Sequence, residues 1–226
     1  RYRQSILGYA WALLSVGFTV ATLTWLNRAR LLPIAETELP YPLFLLLNTT
    51  VWYLFASGLQ STSQSLVASG NLIAKINFPR ETLVLSAFAQ AVFDFSLRLL
   101  LLVIGFFALG YRPSPMILVL PLLMIPLALW TLALGLFFSL ANVVFRDVAQ
   151  VLGFVLPFFM LLSPVVYPVS PGGQAQLFVL LNPVAHYLIA AQDLAIRGTI
   201  GQPISLVVVS SIGAVLFGFA LRIFQV

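Results

Sequence analysis

His186 is the only histidine and Lys75 the only lysine of the chain, and cysteine is absent. Most protein chemistry needs more than this. A nucleotide hydrolase needs a glycine-rich loop ending in Gly-Lys-Ser or Gly-Lys-Thr, whose amides and lysine hold the phosphates; Lys75 instead lies between Ala74 and Ile76. Hydrolysis at a metal needs clustered His, Asp and Glu, whereas the 6 acidic residues are dispersed along the chain. Without thiols there is no disulfide, zinc-thiolate site or sulfur nucleophile. No catalytic residue, metal ligand or bound cofactor is therefore assigned, and His186 reads as a group that orients a short helix by hydrogen bonding. One electrostatic feature remains. Asp94 and Arg98 stand at i and i+4 inside an apolar run, on one helical face where they can pair. An ionisable residue at such depth is a candidate functional group, and a structural ion pair between helices accounts for it equally well.

The elements around these residues belong in a bilayer. Hydrophobic residues make up 61% of the chain and charged residues 8%, against about 45–50% and 25% in soluble domains. The net charge is +5, but the basic residues are scattered singly between apolar runs and form no patch for nucleic acid. Six runs approach the roughly 20 apolar residues that cross a hydrocarbon core: 7–26, 41–59, 82–109, 116–140, 151–167 and 204–223. The fold class expected is an all-α membrane protein of six transmembrane helices, a single domain over 1–226 without internal repeats. Even parity puts both termini on one side. With cytoplasmic termini, Arg1, Arg3, Lys75, Arg80, Arg146 and Arg222 lie inside, and Arg28, Arg30, Arg112 and Arg197 outside, a small bias in the expected direction. Pro121, Pro126 and Pro157 should kink their spans, and Pro164 and Pro168 should end the fifth. Ala214 and Gly218, at i and i+4, offer the sixth a close packing face.

Two connections are not plain loops. Between spans five and six, Pro171-Gly172-Gly173 forms a turn, 174–181 a short apolar helix, and Asn182-Pro183 caps a second helix running to Arg197 and stopping at Gly198. Neither piece is long enough to cross a membrane. Together they form a re-entrant pair dipping in from the outer surface, or helices lying flat in the interface. Between spans two and three, Asn71 suits an N-cap, Leu72, Ile73 and Ile76 make one apolar face of a two-turn helix, and Pro79 stops it and opens the next span, with Glu81 at that helix's positive end. A short rigid helix joined at both ends to membrane helices can transmit a push.

The ordered set Arg3-Gln4-Ser5-x-Leu7-Gly8-x-x-Trp11-Ala12, Asn71-Leu72-Ile73-x-Lys75 with Phe78-Pro79-Arg80-Glu81, Asn142-x-x-x-Arg146-Asp147-Val148, Ser163-Pro164-Val165-x-Tyr167-Pro168 and Leu181-Asn182-Pro183 resembles the ABC-2 type permeases of the exporters of O-antigen, teichoic acid and capsule. The resemblance runs through essentially the whole chain. It implies a permease subunit that is not itself an enzyme, placed in the bacterial inner (cytoplasmic) membrane. It further implies a homodimer carrying two ABC ATPase subunits, which hold the ATP and Mg, and a lipid-linked polysaccharide, as in lipopolysaccharide biosynthesis, as the substrate. Asn71, Leu72, Ile73, Lys75, Ile76, Phe78, Pro79, Arg80 and Glu81 would form the coupling helix and its junction to the third span, with Arg146 and Asp147 on a second cytoplasmic loop. The chain opens on Arg1, not Met. It is expected to lack its natural beginning, including the amphipathic interfacial helix with which such permeases start.

A sliding sugar polymer presents apolar C–H faces, so its path should offer aromatic platforms. Trp11, Phe18 and Trp25 recur every seven residues on nearly one face of the first span, and serve equally as a path wall or as an interfacial aromatic belt. Trp52, Tyr53, Phe55, Phe158, Phe159 and Tyr167 are further candidates for the lining, with packing and contact to membrane lipids as their plainer roles. An ABC-2 permease for drugs or other lipids is the alternative; it shares the topology without the Asn-Leu-Ile and Phe-Pro-Arg-Glu pairing.

Overall fold

The computed structural model describes residues 10–29, 31, 36–70, 79–169 and 179–225. Every regular element among them is helical. Helix α1 is Ala10–Arg28, α2 Tyr41–Ala68, α3 Glu81–Ala108, α4 Leu120–Val144, α5 Val148–Leu162, α6 Pro183–Ile196 and α7 Pro203–Gln225. A 3-10 turn, Pro115–Val119, leads into α4.

Four of these are long and apolar enough to cross a membrane: α2, α3, α4 with its 3-10 turn, and α7. The six expected spans are thus met by four among the described residues. The first expected span begins at residue 7, outside the described residues. In place of the fifth stands a shorter apolar helix. Helix α5 has 15 residues, about 22 Å of rise against a hydrocarbon core of about 30 Å. It ends at Leu162 because Pro164 disfavours the helical region for the residue before it, and Ser163 is extended at ψ 149°.

Helix α2 is the axle of the bundle. It is the least apolar of the four spans, yet 83% of its 18-residue apolar stretch is buried, against 22%, 39% and 17% for those of α3, α4 and α7. The two facts have one cause. Its Asn48, Thr49, Thr50, Thr62, Ser63 and Ser65 would be costly against lipid, so the more apolar helices take the perimeter. Most of these hydroxyls are satisfied within the helix, as Thr49 Oγ1 donates to the Leu45 carbonyl at 2.6 Å and Thr62 Oγ1 to that of Gly58 at 2.7 Å.

Glycine sets the spacing of the packed helices. A Cβ on Gly58 would come within 2.9 Å of both Phe88 on α3 and Thr131 on α4, and one on Gly135 would strike Thr62 of α2. Helix α7 is held by Trp130, whose indole nitrogen donates to the Val209 carbonyl at 2.8 Å above Gly213. The packing glycine of α7 is therefore Gly213; Ala214 and Gly218 face outward, with nothing within 4 Å of a Cβ at Gly218. Pro126 and Pro157 lie inside their helices. Pro121 sits instead in the first turn of α4, where its missing N–H leaves no bond unmade.

Helix α6 is too short to cross a membrane, but it is no surface helix. Nine of its 14 residues are buried, including Tyr187 and Leu188 at 0% exposure, and it packs against α2, α4, α7 and the 3-10 turn.

Candidate functional site

One end of the bundle gathers the C-termini of α2 and α4 and the N-termini of α3 and α5. The join is made by side chains reaching backbone. Asn142 of α4 donates from Nδ2 to the Ser63 carbonyl of α2 at 3.1 Å, and its Oδ1 receives the Ala149 amide of α5 at 3.2 Å. Gln60 of α2 donates to the Ala149 carbonyl at 2.9 Å, and Ser61 to the Ala87 carbonyl of α3 at 3.2 Å. Asn142 is 3% exposed, so its bond to Ser63 is a buried one that is expensive to break. The tight α4–α5 corner they hold presents Arg146 and Asp147 to solvent.

Ser69 and Gly70 after α2, and Pro79 and Arg80 before α3, lie at the same end. Asn71, Leu72, Ile73, Lys75, Ile76 and Phe78 lie outside the described residues. Pro79 and Arg80 are exposed, and Glu81 opens α3. The Pro79 carbonyl accepts from Thr82 Oγ1 at 2.6 Å and that of Arg80 from the Leu83 amide at 3.1 Å. Pro79 is thus tied to the first turn of α3.

The opposite end holds the broken backbone after α5. Pro164 and Val165 are buried, so carbonyls released by the end of the helix need partners. Helix α2 supplies them: Asn48 Nδ2 donates to the Val165 carbonyl at 3.2 Å and the Tyr41 hydroxyl to that of Val166 at 3.1 Å. Asn182 then closes the break. Its Oδ1 accepts from the Val184 and Ala185 amides at 3.0 and 3.4 Å, capping α6, while its Nδ2 donates to Ser163 Oγ at 2.7 Å. The Ser163-Pro164 and Asn182-Pro183 motifs are two sides of one junction. His186 Nε2 lies 3.2 Å from the Leu180 carbonyl, which fits its reading as an orienting group.

Helix α6 ends at Arg197, whose guanidinium pairs with Glu38 at 2.8 Å and lies 3.9 Å from Asp193. The bond and charge of Glu38, followed by the charge of Asp193, raise the pKa of Arg197 above its already high value. Gly198, at φ 71°, makes the turn that follows. Around this corner lies a cleft of about 580 Å³ lined by Glu36, Glu38, His186, Gln192, Asp193 and Arg197 among others.

The aromatic candidates divide by position. Phe18 and Trp25 on α1 are 75% and 64% exposed, and Phe158 on α5 is exposed as well; the Trp11 side chain lies outside the described residues. Trp52 and Phe55 are buried in a three-ring cluster with Phe159, with centroids 5.7 to 6.2 Å apart. They can line a path only if α2 and α5 separate. Tyr167 is half-buried. Tyr53 faces Arg98, whose guanidinium carbon stands 4.1 Å from the ring centroid. Beside this contact between α3 and α2, Asp94 Oδ1 is buried without a hydrogen-bond partner.

These two residues end a longer pattern. Thr82, Ser86, Gln90, Asp94 and Arg98 follow one another at i+4 along α3, from exposed positions at the Pro79 end to half-buried ones beside Tyr53. The spacing was visible in the sequence as a polar row in an apolar span; attention to the two charges alone missed the three neutral members.

A family model, ABC-2 type transporter, matches residues 1–195. The chain belongs to this family: it is an integral membrane permease of the ABC-2 class, and such permeases work with ABC ATPase subunits. It is similar to an O-antigen export system permease protein RfbA of Myxococcus xanthus, 25% identical over all of this chain and 86% of the relative. Two proteins of the same description from Klebsiella pneumoniae are 26% and 24% identical over 88% and 98% of this chain, and over 77% and 85% of their own lengths.

Proposed function

We propose that this permease exports a lipid-linked polysaccharide of the O-antigen, teichoic acid or capsule kind across the bacterial cytoplasmic membrane, as a homodimer driven by two ABC ATPase subunits. In this reading the chain has six spans with both termini in the cytoplasm, α1 and the α5 region completing the four long helices. Helix α6 and the segment before it form a pair re-entering from the outer side, and the extensive burial of α6 supports this. Residues 71–78 form the coupling helix, seated in the ATPase beside Arg146 and Asp147. Closure of the ATPase dimer on ATP presses that helix, and Pro79 carries the motion into α3.

One observation carries the reading. Three residues of the ordered motifs tie helices together at the bundle's two ends: Asn142 at one, Ser163 and Asn182 at the other. The three RfbA relatives align through both ends. Phe18 and Trp25, exposed on α1, are the leading candidates for the wall on which the glycan slides.

The test is to express full-length chains carrying Ile73→Asp or Ile76→Asp with the partner ATPase. Loss of ATPase co-purification, with lipid-linked glycan accumulating on the cytoplasmic side, is the expected outcome. Unchanged association and export would overturn the coupling assignment. Normal glycan export with altered drug sensitivity in a deletion strain would instead favour the drug or lipid exporter.

A further inference from the structure

Helices α3 and α4 stand apart at the end of the bundle that carries Arg197. Helix α3 stops at Ala108, and Gly110 at φ 63° turns the chain so that the Tyr111 amide bonds back to the Phe106 carbonyl at 3.1 Å. The chain then enters α4 through the 3-10 turn, leaving a wedge-shaped cleft of about 710 Å³ between the helices, well within the range of ligand pockets, about 300–1,000 Å³. Leu102, Val103 and Phe106 form one wall and Ile117, Leu118 and Leu120 the other. Leu118 and the neighbouring Phe107 are 82% and 83% exposed. An apolar cleft with apolar lips opens to lipid, not to water.

The mouth has a different chemistry. Tyr111 stacks on Phe106, ring centroids 6.0 Å apart, and Arg112 is exposed beside it. Neither the Tyr111 hydroxyl nor the Arg112 guanidinium has a hydrogen-bond or ion-pair partner among the described residues. Arg197 at the same end, by contrast, is taken by Glu38. Glu36 and Glu38 line the adjoining cleft on the other side of Tyr111 and do not line the wedge. A tyrosine and an arginine at the end of an apolar span mark the level of lipid headgroups, and a basic group between membrane helices is a seat for an anionic head.

We propose that this wedge binds one phospholipid of the adjoining leaflet, its acyl chain between α3 and α4 and its phosphate on Arg112 with the Tyr111 hydroxyl as second donor. A net-anionic head is preferred, because the ammonium of a zwitterionic head meets no carboxylate in the wedge and offsets the attraction to Arg112. The inference needs only that the chain is embedded in a membrane; it does not depend on what is exported.

Native mass spectrometry of the full-length chain in detergent, with phosphatidylglycerol and phosphatidylcholine of matched acyl chains, tests it. Wild type should retain phosphatidylglycerol about fivefold better, the worth of one basic side chain at an anionic surface. Arg112→Gln should bring the two lipids to parity, while Arg222→Gln at the other end should keep the preference. Val103→Trp, at a half-exposed wall position, should reduce retention of both lipids. Equal retention by wild type, a preference that survives Arg112→Gln, or no effect of Val103→Trp would overturn the proposal. So would glycerol phosphate competing as well as the lipid, since the ligand would then be a soluble phosphate.

Discussion

Gln192 of α6 donates a hydrogen bond to Oδ1 of Asn48 on α2 at 3.0 Å, and Asn48 passes one on to the Val165 carbonyl at 3.2 Å. Three segments far apart in sequence are joined by one amide. Asn48 is wholly buried, so its loss leaves both a donor and an acceptor without partners.

Asn48→Leu should therefore lower stability by about 1–3 kcal/mol, read as a fall in the thermal unfolding midpoint in detergent. Gln192→Leu, which removes one bond and leaves the Val165 contact in place, should cost less. Equal effects of the two would mean that the Val165 carbonyl is satisfied in some other way.

At the other end, Asn142→Ala breaks the bonds to Ser63 and Ala149 together. The expected cost is again about 1–3 kcal/mol. The α4–α5 corner loosens locally, so protease cleavage near Arg146 should rise before global unfolding does. A corner as resistant as wild type would show that Gln60, which also holds Ala149, suffices alone.

Gly135 lies where any Cβ strikes Thr62. Gly135→Ala should destabilise by about 1–3 kcal/mol through overpacking, and Thr62→Ala in the same chain should recover part of that loss. A double-mutant cycle on thermal unfolding measures the coupling, which should exceed about 0.5 kcal/mol for residues in contact.

Phe18 and Trp25 have the opposite profile, being exposed on the bundle. Phe18→Ala and Trp25→Ala should leave unfolding nearly unchanged while reducing glycan export severalfold. Trp52→Ala, in the three-ring cluster, should cost about 3–5 kcal/mol of stability. Export unaffected by either α1 substitution would assign the stripe to lipid contact.

Much of the bundle was legible in its sequence because proline and apolar run length act locally. The ends of α2, α3, α4 and α7 fall within a few residues of the runs that mark them, except that α2 continues to Ala68, nine residues past its expected end. Serine and threonine interrupt its apolar run there, but their hydroxyls bond back to the preceding turn, as Ser65 does to Thr62 at 2.7 Å, so polarity did not end the helix. Within the bundle the close approach on α7 falls at Gly213, because which face of an apolar helix meets a given neighbour, here Trp130, is set by the assembly; Ala214 and Gly218 lie on the outward face.

Composition and spacing alone determined that this chain enters a bilayer as helices and that Asn182-Pro183 begins a new one. The tertiary structure decided which helix stands at the centre and which side chains complete the broken backbone. A proline that ends a helix can be found by reading along the chain. The Asn48 amide that satisfies the Val165 carbonyl beyond that end, 117 residues away, is set by how the helices assemble, and no local periodicity encodes that distance.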